Sequence, residues 1–238
     1  MPKITREEME TLRKSALLEG LSESAIEAIL EPTSIRQVTD GAFFFHEQEP
    51  AEQAFILLKG KVKLIQLNEV GQQVILGYLV PGRVYGIIGA IKKISYPVSA
   101  QAVGESKALV WSQEVLGRQM ARFPEMTMNA MRIMASQIQE FQGTINDLST
   151  RRVEQRIARA VLRLARQSGR QIADGVVIDL PLTRQDLAEM TGTTLYTVSR
   201  VLNEWEQRGL IKSKRQQVTL LSSAGLGKIA EDLPESAE

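Results

Sequence analysis

The side chains best equipped for chemistry crowd one short stretch, "LPLTRQDLAEMTGTTLYTVSRVLNEWEQRGLI", at residues 180–211. Thr193, Thr194, Tyr196, Thr197, Ser199 and Arg200 supply hydrogen-bond donors, acceptors and one permanent cation. That set suits reading a polar surface better than breaking bonds. Elsewhere reactive groups are scarce: the chain has no cysteine and a single histidine, His46. This removes disulfides, thiol nucleophiles, cysteine-ligated zinc and cysteine-ligated iron–sulfur clusters, and leaves little room for a His-based triad. No phosphate-loop or metal motif stands out, so an enzyme is not expected.

The local spacing says how those polar groups are held. Thr183 is placed to cap a helix, with Asp186 three residues on and Leu182/Leu187 as an apolar staple. Ala188 is small enough for a close helix crossing, and Gly192 relieves the φ > 0 strain of a tight turn. Val198 and Val201 then face inward with Leu202 and Trp205. This is helix-turn-helix spacing, and "LIKSKRQQVTLL" behind it reads as strand-turn-strand, the wing of a winged helix; an ordinary helical hairpin is the alternative. The outward face carries Thr194, Leu195, Tyr196, Ser199 and Arg200, the candidates for base edges in a major groove. Arg200 suits a bidentate contact with guanine, worth about 1–3 kcal/mol of discrimination. Thr183, Arg184, Gln185, Thr193 and Thr197 suit phosphates, which position without specifying.

Other segments must position this one. Residues 5–31 read as helical, with Thr5-x-x-Glu8 as a capping box and Leu21 and Ile26 flanking Ser22. From Ile35 to Ala90 short apolar runs alternate with turn glycines, the texture of a compact β-barrel or roll; "KVKLIQL" and "QQVILGYL" form a hairpin across "NEVG". From Pro124 the period becomes helical. Met131, Met134, Ile138, Phe141, Ile145 and Leu148 recur at intervals of three and four, an a/d seam on a rod of roughly 38 Å. Such a stripe fits a core helix of its own domain or a partner helix. The period near 3.5 favours the partner, most simply a second copy in a parallel homodimer. "STRRVEQRIARAVLRLARQSG" continues as a helix, and "RQIADGVVIDLP" supplies a loop and a short strand.

The chain of 238 residues has room for two domains. Residues 1–150 carry 15 Lys+Arg against 17 Asp+Glu, a net −2, whereas 151–220 carry 13 against 7, a net +6. Only the C-terminal part is expected to meet a polyanion. No apolar run is long enough for a membrane span and the N-terminus lacks a secretory core, so a cytoplasmic, non-membrane protein is expected.

A glycine-punctuated β-roll, a long dimerising helix and a C-terminal winged helix resemble, in that order, the Crp/Fnr superfamily of bacterial transcription regulators. The resemblance is strongest in "LTRQDLAEMTGTTLYTVSRVLNEWEQRGLI", then in "HEQEPAEQAFILLKGKVKLIQLNEVGQQVILGYLVPG". It implies an α+β fold with a β-roll sensor domain at 1–123, a dimerisation helix at 124–149 and a winged-helix DNA-binding domain at 150–238. It further implies a homodimer on a two-fold symmetric operator, contact with RNA polymerase, and usually an effector in the roll.

The departures refine that expectation. Cyclic-nucleotide-binding members carry a Gly-Glu-Leu-Gly turn and an Arg-Ser or Arg-Thr pair; here the positions are Gly86-Ile87-Ile88-Gly89 and Tyr96-Pro97. Proline offers a cyclic phosphate neither a cation nor an N–H, so no cyclic nucleotide is expected. The polar pair such members use on the long helix falls on Phe141-Gln142. An iron–sulfur cluster has no ligands here. Haem, used by some nitric-oxide- or carbon-monoxide-responsive members, has His46 as its one histidine candidate and is not favoured; nothing singles out Pro2 as a ligand. An apolar effector against Tyr85, Gly86, Ile87, Ile88, Tyr96, Phe141 and Gln142 is the preferred reading of the roll, with a ligand-independent regulator as the alternative. On the recognition helix, members that read TGTGA-type or TTGAT-type half-sites have a glutamate where Tyr196 stands. A retained roll serving as a protein-interaction module would instead predict a damaged helix-turn-helix.

Overall fold

The computed structural model describes residues 3–69, 71–90 and 94–233; Met1, Pro2, Val70 of the "NEVG" stretch, residues 91–93 and residues 234–238 lie outside them. The chain divides into two compact units, Met1–Gln66 with Leu76–Glu140, and Leu67–Ile75 with Phe141–Glu238.

The first unit opens with the expected capping box. Glu8 N–H donates to Thr5 Oγ1 at 3.2 Å and Thr5 N–H to Glu8 Oε2 at 2.9 Å, starting helix α1 (Arg6–Arg13). A short 3-10 turn follows, and Ser22 caps α2 (Glu23–Leu30). The helical stretch expected over 5–31 is therefore interrupted. Its break contains Gly20, whose φ of 77° no continuing helix accepts.

Six strands make the roll: β1 (Ser34–Val38), β2 (Phe43–Phe45), β3 (Gln53–Leu67), β4 (Gln73–Leu79), β5 (Val84–Tyr85) and β6 (Ser99–Ser112). They pair in the order β1-β6-β3-β4, with β2 on β6 and β5 on β3. The long strand β3 kinks at Gly60, where φ is 83° and a Cβ would stand 2.5 Å from the Glu105 carbonyl oxygen. The buried Ser106 hydroxyl accepts from Lys61 N–H and donates to its carbonyl, so the bulge is hydrogen-bonded rather than left open.

Two cores result. Trp111, Leu109 and Ile56 pack with Leu12, Ile29 and Leu30 of the helices, while Phe44, Phe45, Phe55, Tyr85 and Tyr96 fill the interior of the roll. Helix α3 (Gln113–Arg122) follows β6, and α4 (Pro124–Thr150) runs 27 residues, about 40 Å.

The second unit contains α5 (Val153–Ser168), β7 (Gly169–Ile172), β8 (Gly175–Ile178), α6 (Arg184–Thr191), α7 (Leu195–Gln207), β9 (Ile211–Lys214), β10 (Gln217–Leu220) and α8 (Ser223–Glu231). Its sheet runs β7-β8-β10-β9. The sequence suggested one strand before the helix-turn-helix; a hairpin of two forms, turning at Ala173-Asp174 with Gly175 at φ 143°. The fold is α+β: a roll with helices, a long helix, and a winged helix-turn-helix.

Candidate nucleic-acid interface

Local chemistry fixes the two helices of the motif. Thr183 Oγ1 accepts from Asp186 N–H at 2.9 Å, and Asp186 Oδ2 accepts from Thr183 N–H at 2.9 Å, so α6 begins at a closed capping box. The Thr183 hydroxyl also donates to Asp186 at 2.6 Å, so its proton is committed to the cap. Gly192 ends α6 in the left-handed region, φ 60° and ψ 47°, with its N–H on the Ala188 carbonyl. A Cβ there would meet Leu148 at 3.3 Å. Thr194 caps α7 by accepting from Thr197 N–H at 3.1 Å. Val198, Val201, Leu202 and Trp205 are buried, which sets the rotation of the helix about its axis.

That rotation leaves a defined outer face. Thr194, Leu195, Tyr196 and Arg200 are exposed, Tyr196 at 78%, whereas Ser199, Thr193 and Thr197 are half-buried. Arg200 has no hydrogen-bond or ion-pair partner among the described residues, unlike Arg184, whose guanidinium donates to Asn203 at 2.9 Å. Gln185 is likewise engaged, donating to Glu189 at 2.8 Å. The bonded pair lies at the start of α6 and the free arginine on α7.

Two further groups of residues join the helix-turn-helix face. The wing turn between β9 and β10 exposes Lys212, Lys214 and Arg215, with Gln216 at φ 58° carrying the bend. A groove of about 510 Å³ runs between this wing and the α6–α7 pair, lined in part by Thr183, Arg184, Gln185, Leu195, Lys214 and Arg215. The basic run "KSKR" was the available signal. Arg156 on α5 is the other: it donates to the carbonyls of Thr191 at 3.0 Å and Gly192 at 3.3 Å, so a cation caps the end of α6 and holds the turn. No local pattern marks that contact.

The end of α4 is tied to the same unit. Arg159 on α5 donates to Asp147 at 3.0 Å and to Glu231 of α8 at 2.5 Å, and Arg152 pairs with Asp232 just beyond α8. Asp147 is buried, so this bridge fixes the last turns of α4 against α5 and α8. Along α4, Met131, Ile138, Phe141, Ile145 and Leu148 are exposed and Met134 is half-buried. One apolar stripe is therefore left largely uncovered by the described residues.

The roll interior was the other candidate site. Tyr85, Ile87 and Tyr96 are buried, and Ile88 packs against the same ring cluster. Tyr96 stacks on Phe45 with centroids 3.7 Å apart, and Tyr85 on Phe55 at 4.9 Å. The Tyr96 hydroxyl donates to the Gln53 carbonyl at 2.7 Å and accepts from its N–H at 3.0 Å. The Tyr85 hydroxyl is buried without a hydrogen-bond partner among the described residues. Burial pushes both phenols above their ordinary range, so both stay neutral. Arg36 lies over the Phe55 ring and spends an N–H on the Phe44 carbonyl. Gly86 has φ 70°, and a Cβ there would also meet the Gln53 carbonyl at 2.9 Å. Among the described residues, rings occupy the interior, and Tyr96 and Pro97 themselves supply neither a cation nor a free N–H to a phosphate, so this set does not fit a cyclic nucleotide. Phe141 and Gln142, placed with them from sequence, are exposed on α4 in the second unit. His46 is exposed and lies against Phe43.

Residues 155–229 match the Crp-like helix-turn-helix domain family, and residues 35–123 match the cyclic nucleotide-binding domain family. A CRP-like cAMP-activated global transcriptional regulator of Mycobacterium tuberculosis is 25% identical over 221 residues, spanning 93% of this chain and 99% of the relative. A global nitrogen regulator of Nostoc is 29% identical over 199 residues, covering 78% of this chain and 89% of its own. Among solved structures, FixK2 from Bradyrhizobium japonicum covers 87% of this chain and 99% of itself at a TM-score of 0.74 and 21% identity, a likeness of fold. The relatives are regulators of transcription, not enzymes. Among the described residues, no helix is long and apolar enough to cross a membrane.

Proposed function

We propose that this chain, which belongs to the Crp/Fnr superfamily of transcription regulators, acts as a homodimer on a two-fold symmetric operator. DNA binding comes with the family and its helix-turn-helix domain. One observation carries the finer reading: α7 is rotated by its buried face so that Thr194, Leu195, Tyr196 and the unpaired Arg200 point outward together, with Ser199 at their edge. In our reading these five residues meet base edges. Arg184, Gln185, Thr193 and Thr197 hold phosphates, joined by Lys212, Lys214 and Arg215 of the wing. Thr183 acts mainly through its cap. The functional division is a sensor at 1–123, a dimerisation helix at 124–149 and a reading head at 150–238, working in the cytoplasm alongside RNA polymerase.

An electrophoretic mobility shift on operator DNA in rising salt tests this. Four wing and α6 cations per protomer, doubled in the dimer, predict a loss of about 10³–10⁵ in affinity between roughly 50 and 200 mM salt. A salt-independent affinity would overturn the assignment.

The filled roll favours a regulator that takes no cyclic nucleotide. Calorimetry with cyclic AMP and cyclic GMP at up to about 1 mM is expected to give no saturable heat; a micromolar Kd would refute it. The Tyr85 hydroxyl, buried and unpartnered among the described residues, leaves a small, mainly apolar effector with one hydrogen-bonding group beside Tyr85, Ile87, Ile88 and Tyr96 as the reading for that site. Ligand-independent binding is the second reading, favoured by the stacked rings. Haem sensing loses ground because His46 lies on the outside of the roll.

A further inference from the structure

The first unit has a recess away from the ring-filled interior. A cavity of about 390 Å³ opens between α1, the 3-10 turn behind it, the β4–β5 loop and the first half of α4. Its size lies within the range of small-molecule sites. Three cations from three separate stretches line it: Lys14 after α1, Arg83 in the loop, and Arg132 on α4. Glu19 is the one carboxylate in the lining, so the wall is net positive. Ala16, Val84 and Ile133 add an apolar surface.

These cations are only partly used. The Lys14 side chain has no hydrogen-bond or ion-pair partner among the described residues. Arg83 stands 3.7 Å from Glu140, too long for a hydrogen bond. Arg132 gives one N–H to Asn129 Oδ1 at 2.8 Å, which leaves the rest of its fork free. They are also well supported. Asn129 is buried and anchored by donating to the carbonyls of Leu17 and Glu19 at 3.2 and 2.7 Å. Arg83 follows Gly82, whose φ of 89° makes a tight turn with its N–H on the Leu57 carbonyl at 2.7 Å. Helix α1 is pinned to β6 by Lys107, which donates to Glu8 at 2.7 Å. Three exposed cations carried on anchored segments around a recess with Val84 and Ile133 in its wall form a site suited to an anion.

The geometry points to an effector site for a small organic phosphate monoester, its dianion held by Lys14, Arg83 and Arg132 and its apolar body against Ala16, Val84 and Ile133. Glu19 lines the cavity and Glu140 stands against Arg83, so one net positive charge remains. A phosphate dianion is preferred to a monocarboxylate because its three terminal oxygens can accept from three separate cationic side chains at once. Bound there, the anion braces α4 against α1 and the loop, near the start of the apolar stripe that we propose pairs two copies.

Calorimetry on the full-length protein without DNA tests the site, so its result is independent of the DNA reading. The probe is phenyl phosphate, with inorganic phosphate, benzoate and phenol as head-only, monoanionic and body-only comparisons. Phenyl phosphate is expected to bind once per subunit, at least about tenfold more tightly than any of the three. Its affinity rises as pH passes about 6 and the second proton leaves. Lys14→Gln and Arg83→Gln each weaken it about tenfold without lowering the melting temperature, since neither side chain supports the fold; Arg6→Gln, on the exposed face of α1, leaves it unchanged. Three outcomes would overturn the proposal: no saturable heat up to about 10 mM, benzoate binding as tightly as phenyl phosphate, or an affinity indifferent to both cavity variants.

Discussion

Replacing both Ile138 and Ile145 by glutamate is expected to turn the protein into a monomer in sedimentation and to weaken operator binding by about 10²–10⁴-fold. The two isoleucines sit one heptad apart on α4 and are 54% and 63% exposed. Substitution there removes nothing from either core, so helical content by circular dichroism should hold. Their stripe, from Met131 to Leu148, spans about 26 Å. Apolar patches of that extent on a folded chain mark a surface meant to be covered. If two copies pair in parallel through this stripe, position 138 faces position 138 and 145 faces 145. The double variant then buries four carboxylates in two like-charged layers, a large penalty against the associated state. DNA affinity falls because each head must then bind alone, without the raised local concentration that its twin provides. Gln139→Glu, on the wet side of the same turn, is the matched control and should stay dimeric. A double variant that still sedimented as a dimer would remove the stripe from the interface.

What the sequence could disclose was decided by how local each determinant is. The helix-turn-helix was legible because its signals lie within a few residues of their effects: Thr183 caps with Asp186, Gly192 makes the turn, and the Val198–Val201 spacing turns α7. The stripe on α4 was legible for the same reason, since period alone reveals it. The roll was readable as a class from glycines and alternation, but its contents were not. Tyr96 reaches Gln53 across 43 positions, and the ring stack joins three strands and the segment before β6. From sequence those aromatics looked like the walls of an effector pocket; folded, they are largely each other's filling. Strand β7 escaped notice because "GRQI" is polar and mostly exposed, with no alternation to detect. Arg156 escaped because its targets are backbone carbonyls 35 and 36 positions away. The cavity cations come from three unrelated segments, which no spacing rule connects.

Arg200→Ala is expected to lose about 1–3 kcal/mol per half-site, so roughly 2–6 kcal/mol for a dimer on its full operator, with specificity relaxed at a single position of each half-site. The expectation rests on a contrast between two arginines of the reading head. Arg184 spends one N–H on Asn203, which holds its guanidinium at the start of α6 and leaves its other donors for a phosphate. Arg200 is exposed and unpartnered among the described residues, so the groove would supply its first full set of acceptors. Arg200→Lys should not rescue it, because an ammonium cannot match the two acceptors of guanine in one plane. Tyr196 sets the other half of the prediction. Where relatives reading TGTGA-type half-sites carry an acceptor for cytosine N4, this helix presents an apolar ring with a hydroxyl, 78% exposed and suited to a thymine methyl. Selection from random duplexes should therefore return a palindrome that keeps the guanine under Arg200 and changes the base pair under Tyr196. Recovery of an unmodified TGTGA half-site would refute the Tyr196 assignment. A uniform loss across all sequences in Arg200→Ala, with no change in the selected motif, would move Arg200 from the bases to the phosphates.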